Sequence, residues 1–314
     1  MPQDKGLGIT CCYFNPCGYK SKFKNFLKFY SHLRSQTTNI QIVELLRHDN
    51  YLSLPDHFNT FKVRAKGCLW RKENLLNIGI DILLCEGYEN IAWLDSDIIF
   101  SDTDWPKKTI MHLQSNNLCQ LFSSSDSYFS TVNPISKLGC VYYWLNAGNI
   151  LPINESYSMG YGWAARSEVL YDCNLYDTSI IGGGDSLLWL GSFNGMYDIN
   201  LLMRHHPVKL LSTDSHYVNF LNWSSKWGKL IDGKISYVNQ LATSLDHGSI
   251  RNRNYSNRYK YLHKSSFNPN KDLYYNDLGV LESRNSMLDK YVFLYLKSRN
   301  EDNKSWFSNW FLNQ

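Results

Sequence analysis

Residues 90–100 read NIAWLDSDIIF. Ile91, Ala92, Trp93 and Leu94 form the continuous apolar run of a buried strand, and Ile98, Ile99 and Phe100 resume it after an interruption by Asp95 and Asp97. In an extended segment residues i and i+2 point to the same side, so this spacing predicts that both carboxylates face one ligand while Ser96 faces away. Two carboxylates so close repel unless a cation lies between or beside them. Hard oxygen donors of this kind suit Mg²⁺ or Mn²⁺, which keep positions open for substrate phosphates. An isolated Asp-x-Asp is also what a solvated turn after a strand looks like, so its neighbours must decide.

Upstream, LGITCCYF at 7–14 is a β-branched and aromatic run that ends in the turn signal NPCG. A helix is predicted over KSKFKNFLKFYSHLR, where Phe23, Phe26, Leu27, Tyr30 and Leu33 recur at helical spacing, and NIQIVELL follows as a second strand. The segment from Gly67 to about Glu86 puts Leu69, Leu76, Ile80 and Leu83 on one helical face and leads into the quoted stretch. Strand, helix and strand alternate, which predicts an α/β fold with a parallel sheet covered by helices. In such sheets ligands collect at the carboxyl ends of the strands, where Asp95 and Asp97 stand.

Downstream, YGWAARSEVLYD reads as a strand passing into a helix, and IIGGGDSLLW as a glycine turn opening another. Asp185 stands at that helix start, either as an ordinary N-cap or as a general base for an acceptor hydroxyl. In SLDHGSIRNRNYSNRY, His247 precedes Arg251, Arg253 and Arg258. Imidazole can complete a Mn²⁺ shell and guanidinium groups bind phosphate oxygens bidentately, although a surface histidine on a solvated basic face has the same letters. Beyond residue 207 few periodic segments emerge until MLDKYVFLYLKS, a helix followed by the aromatic tail SWFSNWF.

With 314 residues and 43% hydrophobic content the chain can bury a substantial core, and a net charge of +4 lacks the basic excess of a dedicated nucleic-acid binder. Acidic, phosphate-bearing small molecules are the better partners. No apolar run approaches the roughly 18 residues that span a bilayer, and the start carries no signal-peptide pattern. The expectation is a soluble, cytoplasmic protein whose eight scattered cysteines are free thiols.

CLWRKENLLNIGI, IAWLDSDIIFSDTDW, GYGWAARSEVL, LYDTSIIGGGD, DHGSIRNRNY and FNPNKDLYYNDLGVLE, in this order, resemble successive blocks of GT-A-fold glycosyltransferases, in a branch of bacterial and viral members. The resemblance covers residues 7–283, which suggests a GT-A domain over 1–285 and a helical, aromatic extension over 286–314. It implies a metal-dependent transfer from a nucleotide-diphosphate sugar, with UDP the preferred carrier, to a glycan or glycoconjugate hydroxyl. Asp95, Asp97 and His247 are implied as ligands of Mn²⁺ or Mg²⁺, and Asp185 as the catalytic base. Tyr13, Asn15, Arg71, Lys72, Ser96, Arg251 and Arg253 are implied at the nucleotide and diphosphate, and Trp163, Arg166, Gly183 and Gly184 at the donor or acceptor sugar. Inverting members often carry an acidic pair at the base position, where this chain has Gly184 before Asp185. Inversion is favoured over retention; a sugar nucleotidyltransferase or an inactive glycan-binding module are the competing readings.

Overall fold

The structure, a computed structural model, describes residues 5–46, 52–129, 131, 133–148, 157–205, 210–211, 213–246, 248–255 and 257–302. The chain runs β1 (Gly8–Phe14), α1 (Lys20–Arg34), β2 (Ile40–Leu45), β3 (Thr60–Val63), α2 (Lys72–Cys85), β4 (Asn90–Leu94), β5 (Ile98–Phe100) and α3 (Trp105–Leu113). It continues through β6 (Leu118–Gln120), β7 (Ser124–Ser127), β8 (Ile135–Gly139), α4 (Cys140–Asn146), β9 (Tyr157–Ser158), β10 (Gly162–Arg166), α5 (Ser167–Asp172) and α6 (Gly184–Gly191). The last part holds α7 (Ile199–His205), α8 (Asp214–Ile231), β11 (Ile235–Tyr237), β12 (Leu241–Ser244), α9 (Ile250–Arg253), α10 (Lys260–Lys264), α11 (Pro269–Asp272), β13 (Leu273–Tyr275), β14 (Leu281–Ser283) and α12 (Ser286–Ser298).

The central seven-stranded sheet has the order β11-β6-β10-β4-β1-β2-β3. Its pairings are parallel except those of β10, which is antiparallel to both β4 and β6. This is the mostly parallel α/β sheet that the alternating elements predict. All seven residues of β1 are buried, because helices cover both faces. Alternate side chains accordingly enter two different cores. Ile9, Cys11 and Tyr13 pack on the side of α1 with Phe26 and Phe29, while Cys12 and Phe14 pack on the side of α2 with Leu76 and Ile80.

The strand order reverses at β1, whose neighbours β2 and β4 continue the chain in opposite directions across the sheet. The carboxyl ends of β1 and β4 therefore flank a topological switch point, where α/β sheets open a crevice. Asp95 follows β4 there. The extended geometry expected through Asp97 does not hold, because the chain turns at Ser96 and Asp97 and β5 joins a different, five-stranded sheet of order β5-β12-β7-β8-β9. The reason lies in two hydrogen bonds. The Asp95 N–H donates to the Tyr161 carbonyl at 2.7 Å, and the Leu245 N–H donates to the Asp97 carbonyl at 2.7 Å, so each aspartate is fastened by backbone next to a different sheet.

Two further expectations shift. The helix predicted from Gly67 begins at Lys72, with Leu69 buried ahead of it. The region beyond 207 contains α8, an 18-residue helix whose N-cap Thr213 accepts the His216 N–H. No disulfide forms among the eight cysteines. Among the described residues no helix is long and apolar enough to cross a membrane. The aromatic tail lies outside the described residues.

Candidate active site

A cleft of about 370 Å³ opens at the switch point, lined by Cys12 and Phe14 of β1, by Asp95, Ser96 and Asp97, and by Lys72 and Asp185. Lys72 is the first residue of α2 and Asp185 the second of α6, so two helix starts converge on the end of β4. The Lys72 ammonium donates to Asp95 Oδ1 at 2.8 Å and to both oxygens of Asp185 at 3.0 and 2.8 Å. Glu73 approaches the same ammonium at 4.0 Å. Burial alone would favour neutral Lys72, but Asp185, Asp95 and Glu73 together outweigh it and hold its pKa well above the ordinary lysine value.

The acids respond to the same environment. Burial raises the Asp185 carboxyl above its ordinary value, with Lys72 the largest opposing influence. Burial pushes Glu73 up to about 7 against the pull of Lys72. Asp97 is pushed up to about 6 by burial and then by Asp95, against Arg253 and Lys22. A carboxylate raised by its acidic neighbour in a cleft is a place where added positive charge is stabilised.

The α6 start is set by two glycines. Gly183 has φ 98°, a left-handed conformation, and a Cβ there would stand 2.4 Å from Tyr259 Oη. A Cβ on Gly184 would stand 2.2 Å from Glu73 Oε1. Asp185 is not the N-cap; Gly183 is, and the Asp185 carboxylate is turned to Lys72 instead. Gly183 lines the cleft, whereas Gly184 serves the close approach of α6 to α2.

Several expected site residues stand elsewhere. Tyr13 points into the α1 side of the sheet, its hydroxyl donating to the Leu52 carbonyl, because neighbours in β1 face opposite ways. Asn15 is spent on the turn before α1, donating to the Tyr19 carbonyl and accepting the Tyr19 N–H. Arg71 is 1% exposed and binds the carbonyls of Leu281 and Lys66 at 2.6 and 2.7 Å, a pin between α2 and β14 away from the cleft. Trp163 is wholly buried in β10, its indole N–H on the Met159 carbonyl. Arg166 pairs with Glu168, and its register opposite Asn90 puts it at the far end of β4 from Asp95. Arg251 is exposed on α9, while Arg253 lines the cleft. His247 lies outside the described residues.

The cleft also recruits residues that the sequence reading did not place there. Lys22 of α1, Tyr161, Tyr295 of α12, Arg299 and Glu301 all line it, beside Arg258, which the arginine-rich stretch already offers for phosphate. Tyr161 is the closest to a readable signal, since it stands inside GYGWAAR, where φ 73° lets its N–H turn to Asp95 Oδ2 at 3.2 Å. The others are brought in by long-range packing.

As a metal site the donor set offers a pair. Among the described residues no group of three or more histidine, cysteine or acidic side chains is spaced to hold an ion. Asp95 and Asp97 on one turn fit a hard divalent cation that leaves most positions to its ligand, and the raised Asp97 carboxyl marks where such charge is wanted.

No family model matches this chain, and no curated protein does. Solved structures similar to it include glucosyl-3-phosphoglycerate synthase from Mycobacterium tuberculosis in complex with Mn²⁺, UDP-glucose and phosphoglyceric acid, at 10% identity over 89% of this chain and 86% of that one, TM-score 0.42. Another is a nucleotide-diphospho-sugar transferase from Desulfovibrio desulfuricans G20, at 9% identity over 93% and 96%, TM-score 0.35. A thymidylyltransferase for glucose 1-phosphate from Bacillus anthracis matches at 13% identity over 87% and 98%, TM-score 0.38. At these values the likenesses carry no weight for the site, whose reading rests on its own geometry.

Proposed function

We propose that this chain is a GT-A-type glycosyltransferase that moves a sugar from a nucleotide-diphosphate donor, UDP-linked by preference, to a hydroxyl of a glycan or glycoconjugate. The observation that carries the reading is the meeting, in one cleft at the switch point, of the Asp95–Asp97 turn with Lys72, Asp185 and a wall of buried guanidinium groups. Acids alone would suit a metal, and cations alone an anion. Both facing one space suit a metal-bound diphosphate.

Asp95 and Asp97 would hold Mn²⁺ or Mg²⁺, which when bound neutralises charge on the departing nucleoside diphosphate. Arg253 and Lys22 line the same cleft and offer N–H donors to phosphate oxygens. Asp185 takes the proton of the acceptor hydroxyl on a carboxylate oxygen, and its raised pKa is in the direction a general base requires. Lys72 orients that carboxylate and stays protonated throughout. Attack from the face opposite the leaving diphosphate gives inversion at the anomeric carbon.

The test is calorimetric titration of UDP and GDP, with and without Mn²⁺, into the native protein and Asp97→Ala. Metal-dependent binding of one nucleotide that disappears in the variant is the expected result; absence of binding in every condition refutes the reading. Proton NMR of the first product anomer then decides between inversion and retention.

A further inference from the structure

The cationic wall of the cleft is built from three segments far apart in sequence: Lys22 of α1, the stretch around and after α9, and the one following α12. Arg258 is 8% exposed and Arg299 6% exposed. Arg258 donates to the hydroxyls of Tyr259 at 2.7 Å and Tyr295 at 3.4 Å, Arg253 to the hydroxyl of Tyr255 at 3.1 Å, and Arg299 meets Glu301 at 2.7 Å. Yet Nε of all three arginines and Nη2 of Arg253 are buried with no hydrogen-bond partner among the described residues. Each guanidinium lies over an aromatic ring, Arg253 over Phe129, Arg258 over Tyr255 and Tyr259, and Arg299 over Trp70, and the hydrogen bonding that these contacts leave unmet is what an acceptor-rich ligand in the cleft supplies.

One anion already stands in this wall. Glu301 is 5% exposed and lines the cleft, and its charge also supports protonated Lys22 and Arg253. It is the carboxylate nearest these cations in the wall, paired with Arg299. A single carboxylate cannot serve every N–H the wall presents. A phosphate has more acceptor oxygens and binds guanidinium groups bidentately. The backbone carrying Glu301 is held by contacts that are easily exchanged with water: Asp302 accepts the N–H groups of Lys20 and Ser21 at 3.0 and 2.8 Å, and the Asn300 N–H donates to Tyr19 Oη at 3.1 Å, all exposed.

We infer that the wall of Lys22, Arg253, Arg258 and Arg299 is a phosphate subsite whose resident occupant is Glu301, and that a diphosphate ligand enters by displacing that carboxylate, taking over Arg299 and freeing residues 300–302 from the start of α1. The inference rests on the reading of the cleft as a nucleotide-diphosphate site. It makes the segment after α12 a competitor for the substrate phosphate.

The probe is inorganic pyrophosphate without divalent metal, titrated into the full chain and into Glu301→Gln. The expected result is about tenfold tighter binding by the variant. In the native protein, saturation with pyrophosphate should speed hydrogen exchange at the amides of Lys20 and Ser21, which lose the Asp302 acceptor. Equal or weaker binding by Glu301→Gln, no binding by either protein, or unchanged exchange at those two amides each overturns the inference. Should Glu301→Gln not fold, the exposed Asp302→Asn replaces it, with several-fold tighter binding expected and unchanged or weaker binding overturning the inference. Tighter pyrophosphate binding without any nucleotide preference or sugar transfer would leave the subsite standing and remove the glycosyltransferase reading. Sugar transfer with pyrophosphate affinity indifferent to Glu301 would do the reverse.

Discussion

Asp185 is 113 residues from Lys72 in the chain, yet both of its carboxylate oxygens accept hydrogen bonds from that one ammonium. The contact is largely withdrawn from water, with the Lys72 side chain 12% exposed. Removing the cation leaves Asp95, Asp185 and Glu73 facing each other without compensation. Lys72→Met is expected to lower stability by about 3 kcal/mol, the usual order for breaking a buried pair from one side. Adding Asp185→Asn should restore part of that loss, and urea unfolding of the single and double variants checks it. A double variant no more stable than Lys72→Met would show that the two residues do not act as a pair.

The raised carboxyls give a pH dependence with a definite sign. Burial and Asp95 push Asp97 up to about 6, and burial pushes Glu73 up to about 7. The folded chain holds these protons more tightly than the unfolded one, whose carboxyls titrate near roughly 4. Their contribution to stability is therefore complete below that value and is lost as pH rises through about 6 and about 7. The urea midpoint should fall between about pH 4 and about pH 7, and fall less in Asp97→Asn. Mn²⁺ binding should run the opposite way, strengthening over the same interval, because the metal needs the carboxylate form. Mn²⁺ affinity that is flat with pH would separate Asp97 from the metal.

Arg71 offers a clean separation of packing from binding. Its guanidinium ties the start of α2 to the Leu281 and Lys66 carbonyls, away from the cleft. Arg71→Met should cost about 3 kcal/mol of stability, since charged hydrogen bonds and buried acceptors are lost together. Nucleotide affinity of the folded fraction should stay within about twofold of native, less than 0.5 kcal/mol. A large fall in affinity at unchanged stability would return Arg71 to the donor site.

Gly184→Ala tests the positioning of Asp185. The new methyl would stand 2.2 Å from a buried Glu73 oxygen, so either the Glu73 side chain is driven from its place beside Lys72 or α6 moves outward from α2. A stability loss of about 2 kcal/mol is expected from such overpacking. If Asp185 is the base, turnover of the donor should fall further than its binding, because the surroundings of Asp185 change while the acidic turn does not. Proportional losses in turnover and affinity would argue that the helix start is not a positioning device.

The elements that the sequence reveals are those whose pattern is local. β1, α1 and β2 match their predicted spans to within about a residue, because each is a short, strongly patterned run between turn signals. The helix α8 escapes because small and polar residues share its buried face: His216, Phe220, Ser224, Trp227, Gly228 and Ile231 recur at helical spacing, but only three are large and apolar. The carboxylate pair, Lys72 and Asp185 stand at element ends, where chemistry is legible from spacing. Tyr13 fails for a related reason, since a strand buried on both faces gives no hint of which neighbour looks into the cleft. Lys22, Arg299 and Glu301 carry no local signature at all; tertiary packing alone brings them to the cleft.

The turn at residues 95–97 joins two sheets, and each of its aspartates is tethered to a different partner strand region, Asp95 through Tyr161 beside β10 and Asp97 through Leu245 beside β12. The separation of the two carboxylates is thus a gauge of how the smaller sheet sits against the larger. A volume change at buried Ala242, opposite Phe100 in the β5–β12 pairing, would register as altered spacing at the acidic turn. Substitutions in the smaller sheet that leave the chain folded are therefore expected to be read first at the acidic turn.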